Sequence, residues 1–184
     1  MDFRANILLT CFEPFGGADT NISQQVAEGI EDASGLIKHC LPVSFQRAPH
    51  ELRETIERYQ PQYILCLGQC AEGEKIRLER FALNLMDSEK GDNDGYMPNE
   101  DTIDVDAPLA LRTGLAIKQL KTECVNAGLP VIISNSAGLY VCNRIYWEAL
   151  HYTDKALFVH IPKNMNPEMA QKTILLIIKQ LTSL

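Results

Sequence analysis

Apolar residues fall along this chain in short, mostly continuous runs, separated by stretches in which they recur every three or four positions. NILLTC, GLIKHCLPV, QYILCLG, LPVIIS and KALFVHI are runs of the first kind. Strands read this way when helices cover both faces of their sheet. Between the runs, Ala48, Leu52, Thr55, Ile56 and Tyr59 lie at helical spacing, and Pro61 closes that segment. Residues 21–31, 116–127 and 141–152 read as further helices, the second with Gly128 just past its end. A last helix starts near Asn166, with Pro167 in its first turn and Glu168 close behind. Residues 74–86 read as shorter strands. Strands alternating with helices, without repeat or linker, predict an α/β fold. The expectation is a single-domain α/β/α sandwich over residues 1–184, with a mostly parallel central sheet.

Ligands of such sheets sit outside the carboxyl ends of the strands. FEPFGG follows the first run, Gly68 and Gln69 end the third, SNSAGLYVC follows the fourth and His160 lies late in the fifth. The pattern therefore predicts four strand ends converging on one site. Cys142 opens a helix there, where free N–H groups and the macrodipole favour a thiolate. With His160 as base and Glu79 of KIRLERFALN as orienting carboxylate, the parts of a cysteine acyl-transfer site are present. Spacing does not single out this triad, because six cysteines and four histidines allow other combinations. Cys142 as a small buried hydrophobe is the plainer alternative, and Cys70, beside Gln69, is the rival nucleophile. Phe12 and Phe15 are placed to wall a small, flat, uncharged ligand. FEPFGG is neither a dinucleotide fingerprint nor a Walker loop, and Glu13 would repel a phosphate.

Composition narrows the picture. A chain of 184 residues, 46% hydrophobic, suits one folded domain. No basic leader precedes the first run and no apolar run approaches membrane-spanning length, so a cytoplasmic protein without membrane contact is expected. Six cysteines in such a chain argue against a disulfide framework, and Cys11, Cys66 and Cys124 read as reduced core residues. Cys66 and Cys70 lack the companions of a zinc site, and no metal or cofactor is expected. The net charge of −7 is concentrated in residues 87–108, where eight carboxylates face one lysine. DNDG does not make a calcium loop, since Lys90 and Asp101 fall where its first and last ligands belong. A solvated acidic loop is expected there, with a subunit contact as second choice. No basic patch with interleaved aromatics exists, which argues against nucleic-acid binding. Ile174, Leu175, Leu176, Ile177 and Ile178 form a row wider than one apolar stripe, which leaves two readings: an exposed patch that marks a homo-oligomer, or cover by a neighbouring helix of the same domain.

Several segments together resemble one family. They are ILLTCFEPFGG with Asn21 and Ser23 following, LCLGQ, IRLERFALN, DNDGYMP, GLPVIISNSAGLYVCN and FVHIP, spread over residues 7–162. The chain resembles pyroglutamyl peptidase I, also called pyrrolidone-carboxylate peptidase. That resemblance implies an α/β/α cytosolic cysteine peptidase, commonly a tetramer, that removes an N-terminal pyroglutamyl residue from peptides and needs no metal or organic cofactor. It places the nucleophile at Cys142, the base at His160 and the acidic partner at Glu79, with Asn84 closing the motif. By the same resemblance Phe12, Phe15, Gln69, Tyr140 and Val141 line the ring pocket. Four departures stand around this set. Cys11 replaces a usual glycine, CAEGEK replaces a Gly-Gly-Arg run, Glu89 lies where an arginine is frequent, and Leu139 with Tyr140 replaces Thr-Phe. They leave open a non-catalytic lactam-binding homologue, or a different cysteine-dependent amidohydrolase on the same scaffold.

Overall fold

The computed structural model describes residues 2–182. In chain order its elements are β1 (Asp2–Phe12), α1 (Ile22–Gly29), β2 (Ser34–Leu41), α2 (Arg47–Tyr59), β3 (Tyr63–Cys70), β4 (Ile76–Glu79), β5 (Phe81–Leu83), β6 (Ala110–Arg112), α3 (Ile117–Asn126), β7 (Val131–Ser134), α4 (Val141–Tyr152), β8 (Ala156–Pro162) and α5 (Pro167–Thr182). Each long apolar run became a strand. Local chemistry sets several boundaries. Asn21 caps α1 by accepting the Ser23 N–H at 3.0 Å. Gln60, left-handed at φ 45°, ends α2 just before Pro61, and Tyr59 at that end is exposed. Gly128, at φ 75°, lets the chain turn after α3 as its position predicted.

Six strands form one sheet in the order β2-β1-β3-β8-β4-β7. Alternate side chains of each strand feed two cores. Ile7, Leu9, Leu65 and Leu67 pack with α1, α3 and α5, while Leu8, Ile64, Cys66 and Phe158 pack with α2 and α4. All seven residues of β8 are buried. Each large aliphatic side chain hidden this way contributes about 1.5–3 kcal/mol. This is the expected α/β/α sandwich with a mostly parallel sheet. Cys11, Cys66 and Cys124 are buried with free thiols.

Three features differ from the sequence reading or decide between its alternatives. First, β4 pairs with β8 antiparallel, Arg77 opposite His160, and β7 runs parallel to β4. The carboxyl end of β7 therefore does not lie beside those of β1, β3 and β8, so four such ends do not converge. Second, β5 and β6 form a separate antiparallel ribbon, and β6 had no apolar run to announce it. Third, Ile174, Ile177 and Ile178 are buried, and Leu175 and Leu176 are half-buried against the same core. A sheet and two helices meet around α5, so its apolar row is absorbed within the chain, which is the second of the two readings and not the exposed patch. Among the described residues, no helix is long and apolar enough to cross a membrane.

Candidate active site

The carboxyl ends of β1, β3 and β8, the start of α4 and the loop before it surround one cavity of about 130 Å³. Its lining is Phe12, Phe15, Asn21, Val43, Gln69, Ala137, Tyr140, Val141, Cys142 and His160. Seven of the eight residues singled out by sequence are therefore brought together on its wall. The eighth, Glu79, stands behind His160.

Cys142 is the second residue of α4. Tyr140 caps the helix without a side-chain hydrogen bond, so among the described residues no side chain takes up the first-turn N–H groups. The Cys142 thiol lies against β3. A Cβ built on Gly68 would come within 3.0 Å of its Sγ and 2.6 Å of Phe158 Cζ. Only glycine at position 68 leaves room for this approach. Gly68 pairs with His160 on the neighbouring strand, and adjacent strands lie about 4.8 Å apart. The sulfur and the imidazole are thus delivered to the same place from a helix and a strand.

His160 is 7% exposed, and its Nδ1 lies 2.8 Å from Oε1 of Glu79, which is fully buried. A carboxylate only accepts, so Nδ1 carries the proton and Nε2 is the ring nitrogen left as a base. Buried and aimed at His160, Glu79 does not pair with Arg77 or Arg80 at the surface, as its neighbours in sequence would allow. Tyr146 donates its hydroxyl to the Glu79 carbonyl at 2.9 Å and braces the strand from α4. Glu79 Oε2 is buried and has no partner among the described residues. Leaving such a group unpaired costs about 1–3 kcal/mol, which suits chemistry better than stability.

The expected thiolate is not the resting state. Burial pushes the Cys142 thiol up to about 12, and the nearby Glu79 adds to the rise. Its own backbone N–H acts in the opposite direction but is outweighed. The proton must therefore leave when the base takes it. Cys70, the rival nucleophile, is outside the cavity lining. It is half-buried, directs Sγ to the Glu72 carbonyl at 3.5 Å, and has its thiol raised by burial.

The other wall is aromatic. Phe12, the last residue of β1, is 2% exposed and packs on Phe158 with centroids 6.5 Å apart. It belongs to the core as well as to the cavity, because β1 runs on into the first residue of FEPFGG. Phe15 is half-buried and packs on Tyr140, centroids 6.5 Å apart, while Phe45 meets Tyr140 edge-on at 5.2 Å. Gln69 Oε1 accepts the Ile22 N–H at 3.2 Å and so ties β3 to the start of α1.

The acidic segment is not simply solvated. Asp92 is 8% exposed: its carboxylate accepts the N–H groups of Asp94 and Tyr96 at 2.9 Å and of Phe45 at 2.8 Å. Asn93 donates to Glu13 at 3.0 Å and to the Pro14 carbonyl at 3.1 Å. The Tyr140 hydroxyl donates to the Gly91 carbonyl at 3.1 Å. Glu13 also accepts the Val43 N–H at 3.2 Å, so it serves the architecture of these loops. Asn84 holds the far end of the segment, its amide donating to the Asp104 carbonyl at 2.6 Å and accepting the Asp104 N–H at 2.9 Å.

Sequence reasoning missed Asn21, Val43 and Ala137 as lining residues. Asn21 stood only at the start of a helix and among the residues that carry the resemblance, and nothing distinguishes Val43 from an ordinary core valine. It also missed Asn143, whose buried amide bonds Leu83 and Leu85 and pins the start of α4 to β5. Among the described residues, no group of three or more His, Cys, Asp or Glu is placed to hold a metal.

A sheet of this topology with a helix-start cysteine beside a carboxyl-paired histidine is the frame of a cysteine peptidase. The family model for pyroglutamyl peptidase matches residues 5–174, and the chain belongs to that family. The pyrrolidone-carboxylate peptidase of Thermococcus litoralis is 36% identical over 166 residues, covering 85% of this chain and 76% of its own. That of Thermosipho melanesiensis is 34% identical over 177 residues, covering 91% and 88%. Among solved structures, the pyrrolidone carboxyl peptidase of Fervidobacterium islandicum superposes with a TM-score of 0.92 at 33% identity, covering 98% of this chain and 99% of that one.

Proposed function

We propose that this chain hydrolyses the amide bond that follows an N-terminal pyroglutamyl residue. The observation that carries the reading is the small cavity with aromatic walls, Cys142 and His160 on its lining, and no acidic or basic chain other than His160 among the lining residues. A free α-ammonium group would need a carboxylate there. A neutral lactam needs apolar walls and a few aimed polar groups. Phe12, Phe15 and Tyr140 supply the walls. Gln69, with Oε1 engaged by Ile22, keeps its amide N–H groups for the lactam carbonyl.

In the reaction His160 Nε2 takes the thiol proton as Cys142 Sγ attacks the scissile carbonyl carbon. Glu79 holds the ring through Nδ1 and stabilises the imidazolium that forms. The Cys142 N–H, in the open first turn of α4, is the nearest donor for the oxyanion. The tetrahedral intermediate collapses to a thioester as His160 protonates the leaving amine. Water, deprotonated by His160, then releases pyroglutamate and restores the thiol.

The test is release of a chromogenic amine from pyroglutamyl, prolyl and alanyl amides. The pyroglutamyl amide should be cleaved, and the prolyl amide, which lacks the lactam carbonyl, at least ~100-fold more slowly. Equal cleavage of the prolyl amide would make the chain a different amidohydrolase. Binding without cleavage would make it a non-catalytic homologue.

The same proposal takes residues 1–184 as one pyroglutamyl-peptidase-like domain working in the cytoplasm as a homo-oligomer, tetrameric by resemblance. With the α5 row absorbed, Val105 and Leu109, 85% and 89% exposed, are side chains left to carry a subunit contact. Sedimentation at micromolar concentration checks it, and a monomer of 20.6 kDa would overturn it.

A further inference from the structure

Cys11 and Cys40 are partners in the parallel register of β1 and β2, so their side chains project from the same face of the sheet. Neither belongs to the cavity lining. Strand spacing puts directly opposed Cα atoms about 4.8 Å apart, inside the window of about 4.4–6.8 Å that a disulfide spans. Cys11 leans toward β2, its Sγ lying 3.9 Å from the carbonyl of His39, the residue before Cys40. Cys11 is buried and Cys40 exposed. β2 is the edge of the sheet, hydrogen-bonded on one side only, and has freedom to close a small remaining gap.

We propose that Cys11 and Cys40 form a thiol–disulfide site whose reactant is a low-molecular-weight disulfide. The exposed Cys40 thiolate attacks one sulfur of that disulfide and expels a thiolate, leaving a mixed disulfide on Cys40. Cys11 then attacks Cys40 Sγ and expels the second thiolate. The S–S bond of the small molecule is broken and one S–S bond is made across the strands. The two protein thiols lose two electrons and two protons, and the small disulfide gains both as two thiols.

The environment assigns the order of attack. Cys40 is exposed and Cys11 buried; the contact between the two thiols holds that of Cys40 below its ordinary range, while the same contact and burial hold that of Cys11 above it. Cys142, pushed up to about 12 by burial, is the slower thiol toward the same reagent. The pair thus takes oxidant ahead of the proposed nucleophile, at a position where this chain carries a cysteine in β1 immediately before Phe12. This inference does not depend on the hydrolytic reading.

The experiment uses the whole protein and oxidised glutathione. Trypsin separates the two cysteines, since Lys38 lies between them: Cys11 falls in peptide 5–38 and Cys40 in peptide 39–47. After incubation, alkylation of remaining thiols and digestion, the expected product is peptide 5–38 joined to peptide 39–47. It should be lighter than their sum by two hydrogen atoms and be split by dithiothreitol. Cys142 should be recovered alkylated. Cys40→Ser, a surface change that spares the fold, and Cys11→Ala should each abolish the joined species. Wild-type protein that carries only glutathione on Cys40, or that couples peptide 39–47 to a peptide of Cys66, Cys70 or Cys142, would overturn the assignment.

Discussion

Glu79 and His160 are held by strands inside the six-stranded sheet, whereas Phe15, Tyr140 and Val43 are held by loops that grip one another. The first pair is buried, and its geometry follows from backbone register and one 2.8 Å contact. The second group depends on hydrogen bonds from residues far away in sequence, through Glu13, Asp92 and Asn93. The His160–Glu79 pair is therefore placed on the sheet and Phe15, Tyr140 and Val43 on the more adaptable loops, while Phe12 and Gln69 extend the recognition wall from β1 and β3. The departures from the usual family pattern at Leu139, Tyr140 and Glu89 all fall on the recognition side. Changes on the two sides should accordingly separate kcat from KM.

The largest effect belongs to the chemical side. Cys142→Ser should lower amine release by about four orders of magnitude or more with the melting temperature almost unchanged. Cys70→Ser should stay within about twofold of wild type, because Cys70 is outside the cavity. Loss of hydrolysis in Cys70→Ser alone would reverse the assignment of the nucleophile.

Glu79→Gln comes next. A glutamine amide keeps a contact to Nδ1 but can present a donor there and select the wrong tautomer. By analogy with a triad carboxylate changed to its amide, kcat should fall by roughly a thousand- to ten-thousandfold. Steady-state kinetics with thermal melts decides this. A lowered melting point with intact kcat would reduce Glu79 to a structural residue.

The two phenylalanines sharpen the comparison, because they are not equivalent. Phe15→Ala should lower kcat/KM for a pyroglutamyl amide by roughly ten- to a few-hundredfold and leave stability nearly intact. Phe12→Ala should do the same and also destabilise by about 3–5 kcal/mol, since its ring is part of the core. Equal stability of the two variants in denaturant would contradict the difference in their burial.

Asp92→Ala tests the loop side at a distance. Three backbone N–H groups lose their acceptor, and KM should rise roughly three- to tenfold, on the order of 1 kcal/mol, with kcat kept. An unchanged KM would mean that the acidic segment does not shape the pocket.

The smallest effect is on pH dependence in the absence of substrate. The folded value of the Cys142 thiol, about 12, lies above its ordinary 9.0, so the proton is held more tightly in the fold. Its contribution to stability is complete below 9 and is lost as pH rises toward 12. Around neutral pH that contribution is fully present and stability does not vary with pH through it, but the raised value governs reactivity. Alkylation of Cys142 by iodoacetamide should accelerate steadily from about pH 7 to pH 10 without a plateau. A plateau near neutrality would reveal a preformed thiolate–imidazolium pair.

Much of this molecule is readable in one dimension. Runs such as YILCLG and ALFVHI specify buried strands, because covered faces demand apolar residues on both sides. Asn21, Pro61 and Gly128 mark element ends through caps and restricted backbone angles, which act over a few residues. Cys142 and His160 were candidates because helix starts and strand ends are where functional groups collect in α/β folds, and the resemblance carried by the segments around them and around Glu79 singled out these three. Other features depend on partners that local pattern does not contain. Whether β4 runs with or against β8 is decided by pairing between residues 77 and 160, and apolar runs look alike in either direction. Asp92 reads as one charge in an acidic loop, yet the N–H groups of Phe45 and Tyr96 make it a buried anchor. Val43 and Ala137 acquire a role only when the fold sets them around the cavity. The protonation of Cys142 follows the same rule. A helix start favours the thiolate locally, but desolvation is summed over every group packed around the sulfur, and that sum exists only in the folded chain.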